Sequence, residues 1–402
     1  MPYLHPNEPL TLAALAALLR STEAVRLQPE AEQSHASSPL PAVETAPENP
    51  AQWLASLLTA LAAGTGPELP AALVRRMLLL AAHRLGRADA AAGPVVRRLL
   101  DFYSREVWPV VYEQGSLGAG HDQVPLAHLG LPLLGLGEVN YQGYRLAAAD
   151  VLGLFGWEPP QLAPALALRL LSGSDFTLAY ATEVLERTER LLRAAAVVGS
   201  LAAAPASIDL LGDARQAIEA ACNADAPAPT SFTELLTPST PASALDHALA
   251  QLTQVAAQVG AQAAQRTATL VAQPRHLAPE PEAQFGLLAL PRVAASLVQQ
   301  CGTWADAGDA ARSPHGAAAA QEARRVVELA EQLVGLELLA AAQALDLRGP
   351  AAPDLGPAPS PALAQAVAAF REHVTFAAHD RVLAPDLHRA ARFVREYAWA
   401  QE

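Results

Sequence analysis

The chain has 402 residues, of which 91 are alanine and 51 % are hydrophobic, while aromatics supply only 5 %. All 27 basic residues are arginine, and 40 acidic residues leave a formal net charge of −13, which argues against nucleic acid as a partner. Strong helix formers dominate and strand-favouring residues are scarce, so the expected fold class is all-α.

The first helix is expected after Asn7, where Leu12, Leu15, Leu18 and Leu19 form a stripe of helical period. Residues 27–50 hold five prolines and few large apolar side chains, and read as a linker. Helical patterns resume with Trp53, Leu54, Leu57, Leu58 and Leu61 and continue through 73–86 and 95–108. From Gly115 to Tyr144 seven glycines and two prolines interrupt an apolar stretch. An irregular, buried segment is expected there; its backbone polar groups need partners, which makes it the most site-like part of the chain. Long helices are expected over Ser174–Ala204, Ala242–Val271 and Gly316–Leu347, with proline-rich breaks at 224–241 and 349–361 and an amphipathic helix at the C-terminus.

This gives an N-terminal segment (1–26), a linker (27–50), an N-terminal helical part carrying the glycine-rich segment (51–173), and a bundle of long helices (174–402). No basic-then-apolar leader opens the sequence, and the most apolar stretches, 124–137 and 194–208, are short for a membrane span. Two cysteines, Cys222 and Cys301, cannot build a disulfide framework or a cysteine-rich zinc site. The expectation is a soluble cytoplasmic protein with no membrane partner and no metal.

The string GSLGAGHDQVPLAHLGLPLLGLGEV at 115–139 resembles the glycine-rich segment of the aromatic amino acid lyase family, which includes histidine and phenylalanine ammonia-lyases. The strings ARRVVELAEQLVGLELLAAAQALDLRGP at 323–350 and DRVLAPDLHRAARFV at 380–394 are similar to histidine ammonia-lyases, and 141–174 follows the family pattern too. The resemblance implies the mostly helical lyase fold, a homotetramer, and an active site drawn from three subunits. It also implies an electrophile, methylidene imidazolone, made when an Ala-Ser-Gly tripeptide cyclises and dehydrates. The matching positions here are Ala119, Gly120 and His121. Gly120 has no β-carbon to become the methylidene, and His121 replaces the glycine whose amide nitrogen closes the ring. The expectation is therefore that no such cofactor forms.

Other positions depart in the same way. The family's N-terminal tyrosine loop has no counterpart, and residues 27–50 stand roughly in its place. The family's Asn-Gly-Thr triplet matches Ser172-Gly173-Ser174, so Ser172 replaces the amide. Between Leu192 and Ile218 too few residues remain for the arginine-bearing segment that holds a substrate carboxylate. The family's acid falls on Ala310.

Asp122 and His128 occur in the family as well and read as inherited structural residues; with His121 they would otherwise be a small proton-transfer or metal set. Ser174 and Glu337 are further pocket candidates, Glu337 reading first as a core hydrogen-bonding group. Arg324, Glu328 and Glu331 share a helix face and read as a solvated or interhelical charge face. Tyr141, Tyr144 and Tyr180 could stand in for the lost tyrosine or simply pack. His373, His379 and His388 read as surface residues, and the two cysteines as buried thiols. Three functions follow: a pseudoenzyme acting as scaffold or as partner of an active homologue, an enzyme of altered chemistry in the inherited cavity, or a binding protein for an aromatic small molecule.

Overall fold

In the computed structural model, which describes residues 2–28, 48–88, 92–116, 122–199, 211–224, 229–231, 234–235, 244–272, 278–280, 282–305, 315–348 and 359–399, helices follow the alanine and leucine runs. Two compact units result, one of Met1–Glu183, Gln216–Asp246 and His315–Ala320, the other of Val184–Arg215, His247–Pro314 and Gln321–Glu402.

In the first unit α1 (Leu12–Arg20) starts where Thr11 accepts a bond from the Ala14 amide at 3.1 Å, four residues later than the expected start after Asn7. α2 (Pro50–Leu61) is capped by Asn49 and carries proline in its first turn, where the missing N–H costs nothing. α3 (Ala71–Ala88) and α4 (Gly93–Ser104) pack together as the core pair, with Leu73, Met77, Leu80 and Leu85 of the first and Val95, Val96, Leu99 and Phe102 of the second all buried. Tyr103 fixes α1 to this pair, donating to the Leu18 carbonyl at 2.8 Å while accepting from Arg75 at 3.1 Å.

Short strands, which composition alone does not reveal, join these helices. β1 (Tyr3–Leu4) runs parallel to β2 (Arg26–Leu27), β3 (Thr65–Glu68) pairs with β5 (Tyr112–Gln114), and β6 (Glu138–Tyr141) is flanked by β4 (Trp108–Pro109) and β7 (Tyr144–Ala147). The β6–β7 hairpin turns through Gln142 and Gly143, both at positive φ (50° and 81°), the geometry a two-residue hairpin demands. The segment expected to be irregular therefore contains regular structure: α5 (Gln123–Gly130), a 3₁₀ turn (Leu131–Leu134) and this hairpin. Its helix and turn are largely buried, whereas Tyr144 on the hairpin is 71 % exposed. α6 (Ala148–Phe155) and α7 (Pro164–Leu171) follow, then α8 (Asp175–Gly199) and α9 (Gly212–Cys222).

The second unit is built on the rest of α8, α10 (Ala244–Val271), α11 (Leu290–Ala305), α12 (Gly316–Arg348), α13 (Pro361–Arg371) and α14 (Ala384–Glu396). From Val326 to Ala344 nearly every residue of α12 is buried, which is why its sequence shows no polar stripe. Gly335 lets the α14 backbone approach closely, since a β-carbon there would lie 2.8 Å from the Ala391 nitrogen. Among the described residues no helix is long and apolar enough to cross a membrane.

Candidate functional site

The tripeptide positions Ala119, Gly120 and His121 lie outside the described residues, but the residues on either side, up to Ser116 and from Asp122, are described. On the upstream side β5 ends at Gln114, and Gly115 takes φ +133°; a β-carbon there would lie 2.6 Å from Val124 Cγ1. That conformation and contact admit only glycine. On the downstream side Asp122 opens α5 and is 0 % exposed.

These flanks are tied to each other and to α8. The Ser116 hydroxyl donates to Asp122 Oδ1, the Thr177 amide donates to Asp122 Oδ2 at 2.9 Å, and the Thr177 hydroxyl donates to Oδ1 at 3.1 Å. Asp122 thus caps the first turn of α8 rather than its own helix, at the end where an anion is favoured. Burial nevertheless dominates and pushes its carboxyl up to about 7; the Ser116 and Thr177 bonds oppose the rise, and the neighbouring Asp175 adds to it.

Asp175, itself 1 % exposed, is held by Arg84, whose Nη2 reaches Oδ2 at 2.6 Å. The same guanidinium donates to the Arg169 carbonyl at 2.6 Å and the Leu170 carbonyl at 3.1 Å, joining the end of α7 to the start of α8. The triplet Ser172-Gly173-Ser174 forms that junction. A β-carbon at Gly173 would collide with Arg84, the Ser172 hydroxyl donates to the Arg169 carbonyl at 3.1 Å, and the Ser174 carbonyl accepts the Leu178 amide at 2.8 Å. Ser172 and Ser174 are both half-buried and serve helix ends.

His128, half-buried on α5, accepts the Gly64 amide at Nε2 (3.1 Å), which leaves the neutral ring's proton on Nδ1. Its ring meets Tyr112 edge-on at 5.2 Å, and burial lowers its proton affinity. Glu337 belongs to the second unit, where Arg266 holds it at 2.5 and 2.8 Å; burial pushes its carboxyl up and Arg266 opposes this. Asp122 and the 172–175 junction are thus brought together through Thr177, Asp175 and Arg84, while Glu337 is accounted for by its own ion pair.

Ala310 lies outside the described residues, as does 200–210, within the stretch from Leu192 to Ile218. Tyr180 packs on Phe176 at 5.2 Å, and Tyr141 on Phe155 at 5.6 Å. Burial pushes the Cys222 thiol up to about 12 and the Cys301 thiol up to about 11, opposite to what a nucleophile needs. Glu331 is an interhelical ion-pair centre, 2 % exposed, and Arg324 pairs with Glu328 at 3.1 Å. Among the described residues no group of three or more His, Cys, Asp or Glu side chains is placed to hold a metal ion.

Sequence reasoning missed Ser116, Thr177 and Arg84. Ser116 and Asp175 stood beside motifs already noted, but nothing in sequence links Arg84 to a carboxylate 91 positions away.

A sequence profile described as aromatic amino acid lyase matches residues 39–209 and 205–372. A histidine ammonia-lyase from Bradyrhizobium diazoefficiens is 27 % identical over 431 aligned positions, covering 87 % of this chain and 82 % of that enzyme. One from Idiomarina loihiensis is 43 % identical over 140 residues, covering 35 % of this chain and 27 % of that enzyme. Among solved structures, tyrosine aminomutase from Streptomyces globisporus superimposes with a TM-score of 0.80 at 19 % identity, covering 98 % of this chain and 97 % of that one. Histidine ammonia-lyase from Trypanosoma cruzi gives a TM-score of 0.76, also at 19 % identity, covering 98 % and 93 %. At that identity the two structures speak to the fold.

Proposed function

We infer that this chain, which belongs to the aromatic amino acid lyase family, keeps the family's architecture without its electrophile and works as a scaffold, alone or beside an active homologue. One observation carries the reading: position 120 is glycine, flanked by Ala119 and His121. The methylidene carbon of the family's cofactor is a serine β-carbon, and glycine has none. The residues present therefore do not fit that group. The loss of the asparagine at Ser172 and of the acid at Ala310 supports the same reading, because substitutions that would each impair a lyase separately occur together.

Asp122, with proton affinity near neutrality, is the group that favours altered chemistry as a second reading. Against it, the carboxylate is enclosed and bonded to Ser116 and Thr177, which makes it a positioning group that ties Ser116 to the first turn of α8. The purified protein is expected to show no ultraviolet absorbance of methylidene imidazolone and no turnover of histidine, tyrosine or phenylalanine. Turnover of any of the three would overturn the scaffold reading.

Assembly with other copies is part of the proposal. Helix α10 exposes Ala250, Gln254, Gln258, Ala261, Gln262 and Gln265, a face without charge. An uncharged face on a chain of net charge −13 suits close packing by another helix better than solvation. Light scattering is expected to give the mass of an oligomer; the mass of a single chain, at concentrations up to the micromolar range and with no homologue present, would contradict self-assembly.

A further inference from the structure

A groove of about 670 Å³ opens between the end of α13 and one face of α14, in the second unit. Arg389 and Phe393 lie four residues apart on one face of α14, Tyr397 caps its end, and Arg392 and Glu396 run beside them. Phe393 is 6 % exposed, and Tyr397 stacks on it with centroids 4.7 Å apart and planes 19° apart. The His373 ring, beyond the end of α13, lies 5.8 Å from Phe393 and extends the aromatic surface.

The charges around this surface are not evenly matched. Arg392 is satisfied by Glu396, with both carboxylate oxygens within 2.9–3.0 Å of its Nε. Arg389 shares the Asp386 carboxylate with Arg381, at 3.2 and 2.9 Å respectively, so one acid serves two guanidinium groups. Arg389 is 57 % exposed and keeps donors for a further carboxylate. On the wall from α13, Glu372 brings a negative charge to the same space.

The geometry points to a binding site for an aromatic amino acid: the ring packs against the Tyr397 and His373 rings that flank the buried Phe393, the carboxylate lies on Arg389, and the ammonium faces Glu372. The site shares no residue with positions 117–121 and is read by binding, so its failure leaves the reading from Gly120 untouched.

Calorimetric titration of the intact protein with L-phenylalanine and L-tryptophan tests it. Saturable binding is expected at about one ligand per chain, weakened about tenfold or more by Arg389→Gln, which removes a charge-assisted contact. Glu372→Gln is expected to weaken L-phenylalanine but not 3-phenylpropanoate, which lacks the ammonium. Arg389 and Glu372 are exposed, so both variants are expected to melt as the parent does. Absence of saturable binding by both amino acids would overturn the proposal. So would binding that Arg389→Gln leaves unchanged, or 3-phenylpropanoate binding as tightly as phenylalanine.

Discussion

Glu331→Ala is expected to lower the unfolding free energy by about 3–5 kcal/mol, the usual consequence of stranding a buried charge. Glu331 is 2 % exposed and receives Arg187 through Nε at 2.9 Å and Nη2 at 2.8 Å, with Arg395 Nε adding a third bond at 2.8 Å. Arg187 is itself 6 % exposed, and it also reaches Glu328, at the longer distance of 3.3 Å. Arg395 is 42 % exposed and can turn to water, so Arg395→Ala is expected to cost no more than about 1 kcal/mol. The double replacement Arg187→Met with Glu331→Leu removes both charges and is expected to recover most of the loss. Denaturant unfolding of these variants measures each term. A loss below about 1 kcal/mol for Glu331→Ala would mean the pair is not the closed, dry interaction described.

Asp122 gives the second large effect, and its sign is unusual for a carboxylate. Its pKa rises from 3.8 to about 7 on folding, so the folded chain holds a proton that the unfolded chain releases. Its contribution to stability is then fully present below pH 3.8, falls as pH rises toward 7, and levels off above it, a loss of about 4 kcal/mol in all. Asp122→Asn keeps an oxygen to accept the Thr177 amide and offers a donor to the Ser116 and Thr177 hydroxyls without any charge to bury. The variant is expected to match the parent near pH 4, exceed it by up to a few kcal/mol at pH 8, and lose the decline between. Unfolding free energies at several pH values check this. A variant less stable than the parent at pH 8 would show that the charged form is the one the fold favours.

The helices were legible because Ala and Leu fill them and proline ends them. The pattern over 316–347 matches α12 to one residue at its C-terminal end, and the pattern over 242–271 matches α10 to two at its N-terminal end. The strands were not legible: β1 and β2 are two residues each, too short for alternation, and the β6–β7 turn depends on backbone angles at Gln142 and Gly143. At the site, sequence marked Asp122 by its place beside the tripeptide positions. It could not supply Thr177, 55 residues on, because that pairing exists only once α8 begins against α5. The distinction between a burdened acid and an ordinary cap is made by that packing. Glu337 shows the converse: its apolar setting alone left a pKa-shifted carboxylate open, the resemblance to the family favoured a core hydrogen-bonding group, and Arg266 holds it in the structure.

Glycine at position 120 bars the methylidene on covalent grounds, and one measurement addresses this directly. Cleavage after arginine releases residues 106–145 as a single peptide containing Ala119, Gly120 and His121, since no arginine lies between and the chain has no lysine. Its mass, determined on the protein as purified, is expected to equal that of the unmodified sequence. A peptide lighter by one or two waters, with the loss mapped to 119–121, would show that the backbone cyclises here and would contradict the account.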